Sequence, residues 1–177
     1  QSFTVNGALD SYALTIPLPG RHQQENAATA VAALEVLKSR GFQITSADII
    51  EGLRKVVWEG RFQVLGQNPV IVLDGAHNPE AARKFREGLE EYFGRPGEST
   101  FEYSGATLVM GASVDKDTAG VLRELAPYFG KFVATTSRHP RAMPGDQLRR
   151  LFSELGIDAA LAADVPAAVK MALGGDK

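Results

Sequence analysis

The chain opens with two short strand-like runs, Ser2–Val5 and Ser11–Leu18, on either side of Asn6-Gly7. Extended runs around an Asn-Gly pair predict a β-hairpin, and Leu18-Pro19-Gly20 stops its second strand. The period then changes. Between about Gln23 and Lys38, Ala27, Ala30, Val31, Leu34 and Leu37 recur at three- and four-residue spacing. That spacing predicts a helix with one apolar stripe, ended near Gly41. A second helix is predicted after Thr45 or Ser46, either of which can cap it. Its apolar face would be Ile49, Ile50, Leu53, Val56 and Val57. A hairpin and two helices are too small to stand alone as a domain, so residues 1–59 read as the end of a larger one.

After Trp58-Glu59-Gly60 the texture changes. Arg61–Leu65 and Val70–Leu73 read as strands separated by Gly66–Pro69. A helix is predicted from Asn78, its cap, through Pro79 in the first turn to about Phe93. Arg95–Ser104 reads as a loop, Thr107–Gly111 as a buried strand and Lys116–Tyr128 as a helix. Lys131–Thr135 is a further buried strand, followed by a Thr136–Met143 loop and a Pro144–Leu155 helix. Asp158–Ala162 and Pro166–Leu173 predict a last strand and a short last helix. Strands alternating with helices imply a Rossmann-like, mostly parallel α/β sheet with helices on both faces over residues 60–177.

Composition narrows the class. The 177 residues are 44% hydrophobic and 23% charged with a net charge of -2, which suits a soluble globular chain. That balance gives no electrostatic case for nucleic acid or an anionic membrane. There is no cysteine, which excludes a disulfide framework and thiolate metal sites and fits a cytoplasmic protein. No apolar run approaches the ~20 residues that a membrane helix needs, and the N-terminal segment lacks the features of a secretory signal. The chain does not begin with Met, so it is expected to start after processing or to be cut from something longer.

In a parallel α/β sheet, ligands bind beyond the carboxyl ends of the strands. That rule selects the loops after Leu73, Met110 and Thr135. They carry Asp74-Gly75-Ala76-His77-Asn78-Pro79, Gly111–Asp117, and Thr136-Ser137-Arg138-His139-Pro140-Arg141. Each also has a structural reading. Asn78 can be a helix cap, Asp74 an acceptor for turn amides, and Asp115 the cap of the next helix. Arg138, His139 and Arg141 can be a solvated loop. His77 lies before a helix N-terminus, where anions bind, or is a satisfied half-buried histidine. No Walker-type phosphate loop, dinucleotide glycine fingerprint, nucleophile elbow or paired-histidine metal spacing is present.

Several segments together resemble a known family. They are Leu18-Pro19-Gly20-Arg21-His22-Gln23-Gln24-Glu25-Asn26-Ala27, Trp58-Glu59-Gly60-Arg61-Phe62 and Asp74-Gly75-Ala76-His77-Asn78-Pro79. Gly111 with Asp115-Lys116-Asp117, and Pro140-Arg141-Ala142-Met143-Pro144, complete the set over residues 18–144. In this order they resemble the folylpolyglutamate synthase/dihydrofolate synthase family of the Mur ligase superfamily. The resemblance implies an ATP-dependent ligase that phosphorylates a folate or dihydropteroate carboxylate and passes it to the amine of L-glutamate. It implies that Arg61 reaches the ATP phosphates, Asp74 the ribose hydroxyls and Asn26 the adenine. It places His77 near the nucleotide or the incoming glutamate, and gives Arg61 and His77 catalytic roles. Lys116, His139 and Arg141 would steady glutamate or the acyl phosphate. The structural alternatives are a domain-edge ion pair for Arg61 and packing for Trp58.

The family's N-terminal ATPase domain, with its phosphate loop and Mg2+ ligands, has no counterpart in this sequence, and neither has its closing strand. The chain is therefore expected to be the C-terminal part of a ligase, with no metal site of its own and inactive alone. Residues 1–59 would end the central ATP-binding domain, and the full-length enzyme would be monomeric. Three other readings exist: a peptidoglycan or cyanophycin ligase of the same superfamily, a non-catalytic small-molecule-binding module, and a nicotinamide oxidoreductase. The absent glycine fingerprint disfavours the last.

Overall fold

The computed structural model describes residues 1–98 and 103–174, which form two compact units, Gln1–Gly75 and Ala76–Lys177. The division falls after Gly75 and not after residue 59, where the sequence changes texture. The stretch in between closes on itself as a hairpin of its own.

In the first unit, β1 (Ser2–Asn6) and β2 (Ser11–Thr15) pair antiparallel, with Ser2 opposite Thr15 and Asn6 opposite Ser11. Alternate β2 residues point inward, so Tyr12 and Leu14, with Ile16 beyond them, meet Ala27 and Val31 of α1 (Arg21–Ser39) and Ile49 of α2 (Ser46–Arg54). Thr45 caps α2: its hydroxyl accepts from Asp48 N–H at 3.1 Å, and the Asp48 carboxylate accepts from Thr45 N–H at 2.9 Å. Because α2 ends at Arg54, Val57 is not on its apolar face and is 83% exposed.

The buried stripe of α1 is Gln23, Ala27, Val31 and Glu35, rotated from the predicted one, and Leu37 is exposed. Glu35 explains the rotation. Its carboxylate accepts from the amides of Ala8 at 2.7 Å, Leu9 at 3.0 Å and Asp10 at 3.2 Å, and from the Tyr12 hydroxyl at 3.0 Å. It satisfies the backbone of the β1–β2 turn, which has few partners inside the hairpin. Burial alone pushes the Glu35 carboxyl up, but the donors from Leu9, Ala8, Tyr12 and Asp10 outweigh it and hold it below the ordinary glutamate range.

β3 (Gln63–Gln67) and β4 (Val70–Leu73) pair antiparallel, with Gln63 opposite Leu73 and an irregularity between Val64 and Gly66. Among the described residues β4 pairs with β3 and not with the parallel sheet, which corrects the placement of Leu73 on that sheet's edge. The short turn between β3 and β4 allows only an antiparallel return, so the two strands pair with each other.

In the second unit, β5 (Thr107–Met110), β6 (Lys131–Ala134) and β7 (Ala160–Leu161) form a parallel sheet in that order. The sheet is the expected α/β type. The crossovers contain α4 (Thr118–Leu125) and α5 (Gly145–Glu154), and α6 (Val165–Ala172) follows β7. Helices cover both faces. Phe132 and Ala134 pack with Leu122 of α4 and with Leu148 and Phe152 of α5, whereas Val133 packs with Ala162 and Ala168. The central strand β6 is thus packed on both faces, whereas β5 is half-buried and the edge strand β7 is exposed.

Before the sheet, α3 (Pro79–Phe93) starts at Asn78, whose side chain accepts from Ala81 N–H at 2.8 Å. It packs on α4 through Ala82, Phe85, Val121 and Leu125. The Tyr103 hydroxyl donates to Gly94 C=O at 2.5 Å, and the Tyr128 hydroxyl donates to Glu90, which also pairs with Arg86 and Arg95. Tyr128 and these arginines hold the Glu90 carboxyl below its ordinary range. Part of the predicted Arg95–Ser104 loop, residues 99–102, lies outside the described residues.

Two outcomes follow. A Cβ on Gly130 would run into the backbone carbonyl of Ser104, so Gly130→Ala should destabilise the second unit by about 1–3 kcal/mol in urea unfolding. For Glu35, a lowered folded pKa gives stability that is complete above the ordinary glutamate value, about 4.3. It is lost as the pH falls through the lower folded value. Glu35→Gln, which puts an amide among four donors, should lower the unfolding midpoint at pH 7, with the deficit shrinking as both proteins are acidified below about pH 4.

Candidate functional site

The candidate residues fall into two clusters, one in each unit. In the first unit the Trp58–Phe62 turn is tied to Asp74-Gly75. The Asp74 carboxylate accepts from Phe62 N–H at 2.8 Å, and Gly75 N–H donates to Gly60 C=O at 2.8 Å. Gln63 accepts from Gly60 N–H at 2.9 Å. These bonds hold Phe62, a buried bulky residue, at φ 43°, in the left-handed region that such side chains avoid. The Arg61 guanidinium carbon lies over the Trp58 ring at 5.9 Å from its centroid. Trp58 is 61% exposed, so it is not the core packing residue its size suggests. Arg61 and Asp74, far apart in sequence, are thus brought together. Asn26 sits on a different element, exposed on α1, and its amide donates to Gln23 at 3.0 Å.

In the second unit the loops after β5 and β6 are stitched together at the carboxyl ends of the strands. Met143 N–H donates to Ala112 C=O at 2.8 Å, and Val114 N–H to Arg141 C=O at 3.0 Å. Ser113 and Ala142 form an antiparallel bridge. The Arg141 guanidinium pairs with Asp115 at 2.7 Å, and Arg141 N–H donates to His139 Nδ1 at 3.1 Å. Because Nδ1 accepts, the His139 ring carries its proton on Nε2 and offers a donor outward. Lys116 is exposed in the same loop.

Asp115 is not the cap of α4. The helix begins at Thr118, so Asp117 takes that role, accepting from Gly120 N–H at 2.8 Å, and Asp115 is released to pair with Arg141. The sequence offers Asp115 as part of the polar loop after β5 or as the cap of the next helix, with no sign of its partner Arg141. A helix start shifted by two residues is within the ordinary error of a periodic pattern, and nothing local marks the distant arginine.

His77, exposed, precedes α3. The start of α3 lies beside the start of α4: a Cβ on Gly120 would come within 2.5 Å of Pro79. Helix N-termini favour anions, although Asn78 and Asp117 already cap these two. Among the described residues no group of three or more His, Asp or Glu side chains is placed to hold a metal ion. No described helix is long and apolar enough to cross a membrane.

Comparison with known proteins gives one consistent picture. The family model of the Mur ligase, glutamate ligase domain, matches residues 60–176. A probable bifunctional folylpolyglutamate synthase/dihydropteroate synthase of Halobacterium salinarum is 37% identical over 146 residues, 82% of this chain and 16% of that protein. The folylpolyglutamate synthase of Mycobacterium tuberculosis, complexed with ADP, is similar with a TM-score of 0.83 at 26% identity, over 98% of this chain and 37% of that one. A bifunctional folylpolyglutamate synthase/dihydrofolate synthase with Mn, AMPPNP and L-glutamate bound is similar with a TM-score of 0.69 at 27% identity, over 94% of this chain and 37% of that one. The chain therefore spans well under half the length of each of these relatives.

The structural role of Asp74 can be tested by substitution. Asp74→Ala leaves Phe62 N–H without this acceptor and should cost about 1–3 kcal/mol in denaturant unfolding. Asp74→Asn keeps a carbonyl acceptor and should retain most of that stability.

Proposed function

The chain belongs to the Mur ligase family through its glutamate ligase domain, and on that footing we propose that it is the C-terminal part of an ATP-dependent ligase. The ligase adds L-glutamate to a folate or dihydropteroate carboxylate. The observation that carries the reading is the turn that brings the Arg61 and Asp74 segments together: Phe62 N–H donates to the Asp74 carboxylate, and Gly75 N–H to Gly60 C=O. Arg61 and Asp74 suit a nucleotide. A guanidinium fork matches phosphate oxygens, and a carboxylate accepts from ribose hydroxyls. The M. tuberculosis relative complexed with ADP supports this.

When bound, ATP supplies the phosphoryl group that makes the substrate carboxylate a good acyl donor. The residues of this chain then have distinct tasks. Arg61 stabilises charge that develops on the transferring group, which is the main demand of phosphoryl transfer. Asp74 and Asn26 orient the nucleoside. His77, at the start of α3, faces the nucleotide or the incoming amine. Arg141, His139 and Lys116 hold the glutamate carboxylates at the carboxyl edge of the sheet, where the two loops are stitched into one surface. The relative with L-glutamate bound supports a glutamate subsite in the family. The folate branch is preferred over peptidoglycan ligases because the curated relative above carries the folylpolyglutamate name.

The described residues hold no cluster fit for the family's Mg2+, so no step is assigned to a metal on this chain. We assign the magnesium and the phosphate cradle to segments this chain does not carry, residues 1–59 to the end of the central ATP-binding domain, and residues 60–177 to the ligase domain. The absence of cysteine supports a cytoplasmic setting.

The purified chain should release no phosphate from ATP in the presence of folate and L-glutamate. Turnover by the chain alone would overturn the division of labour. A chimera in which residues 60–177 replace the matching domain of the M. tuberculosis enzyme should turn over. Arg61→Ala in that chimera should cut kcat by about a hundredfold or more. An unchanged kcat in a folded variant would remove Arg61 from the reaction.

A further inference from the structure

Burial does not explain Trp58. It is 61% exposed, beside Val57 at 83%, on the turn that carries Arg61. The Arg61 guanidinium carbon lies over the indole at 5.9 Å from its centroid, within cation–π range. The guanidinium also comes close to the backbone at Gly75. A Cβ on Gly75 would come within 3.3 Å of Arg61 Nη1 and 3.4 Å of Gly60 C=O, so Nη1 approaches this position closely because it bears no side chain. Gly75 is itself fixed by donating to Gly60 C=O at 2.8 Å, and the next residue after Arg61 is pinned by Asp74 at 2.8 Å.

We propose that Trp58 is a positioning residue: with Gly75 close to Nη1, it holds the Arg61 guanidinium so that its in-plane N–H donors meet nucleotide phosphates. This rests on the reading of Arg61 given above and adds the device that aims it. The choice of an aromatic partner has a chemical consequence. An arginine side chain is long and samples many rotamers, so an exposed one needs restraint to be aimed. A carboxylate would restrain it but would take up part of its donor fork and offset its charge. An indole face attracts the cation through its quadrupole and leaves the edge donors and the positive charge available to an anion. Trp58, Arg61 and Gly75 are therefore one unit of the site, joined by the same backbone bonds that hold Phe62 in the left-handed region.

The test compares AMPPNP with AMP on the full chain by isothermal titration, so that the phosphate contribution is read apart from the nucleoside. The unsubstituted chain should prefer AMPPNP, and Arg61→Ala should abolish the preference. Trp58→Ala should weaken AMPPNP about two- to fivefold, the size of an exposed cation–π contact, and leave AMP unchanged. Trp58→Phe, which keeps an aromatic face, should recover most of the loss. Trp58→Ala added to Arg61→Ala should cost nothing more. Gly75 has no positive φ, so Gly75→Ala carries no backbone strain, and it should mimic Trp58→Ala with the indole still in place. That variant also decides the matter if Trp58→Ala does not fold.

Equal weakening of AMP and AMPPNP by Trp58→Ala would show that the indole serves the nucleoside or the fold, and would overturn the proposal. No effect of Trp58→Ala or Gly75→Ala, with Arg61→Ala still abolishing the preference, would overturn the positioning role and leave the role of Arg61 standing. No preference for AMPPNP in the unsubstituted chain, or a preference untouched by Arg61→Ala, would remove both.

Discussion

The amide of Phe62 donates to the Asp74 carboxylate, and the first unit's site depends on that bond. It joins two segments that the chain separates, and it does so at the base of the β3–β4 hairpin, where Gln63 is opposite Leu73. A buried phenylalanine in the left-handed region is unfavourable and persists only when its surroundings over-determine it. The hairpin ladder, the carboxylate and the Gly75–Gly60 bond supply that over-determination. The result is an arginine whose backbone is fixed on one side by strain and on the other by hydrogen bonds. The Trp58 ring lies 5.9 Å from the guanidinium carbon on this turn.

The second unit reaches its geometry by another route. Parallel strands end together, and the loops that leave them must run over the same edge. Here the loops after β5 and β6 do more than lie side by side. Backbone bonds and the Ser113–Ala142 bridge zip them into one surface. The Arg141–Asp115 pair on that surface is well exposed on both sides, so it adds little to stability. Its effect is on orientation. His139, turned by the amide of Arg141, presents a donor in the same loop. Two cationic or donor groups are thereby arranged at the end of a packed sheet, on a scaffold that places them without being strained by them.

The first unit uses carboxylates as structural acceptors twice. Glu35 gathers three amides and a hydroxyl of the β1–β2 turn, and Asp74 gathers the turn before β3. An ionised carboxylate is an acceptor only, with room for several donors, which makes it suited to closing a turn whose amides point the same way. Such residues read as ordinary charged positions in a sequence because their partners are distant or irregular in spacing.

Local features of the chain were decided by the sequence alone. Asn78 with Pro79 marks the start of α3, Thr45 caps α2, and the apolar runs at Thr107–Met110 and Lys131–Ala134 are strands. These depend on neighbours within a turn or on composition within a strand, so a short window contains the whole cause. The resemblance carried by the ordered segments likewise named the family before any fold was known. Tertiary structure decided the rest. It placed Glu35 inside and Leu37 outside on α1, kept β3–β4 as a separate hairpin, and gave Asp115 to Arg141 while Asp117 capped α4. It also put Trp58 in the open beneath a guanidinium. Each of these turns on which polar group meets which across a long stretch of chain. Hydrophobic periodicity reports which side of an element is apolar, and it contains no record of such partners.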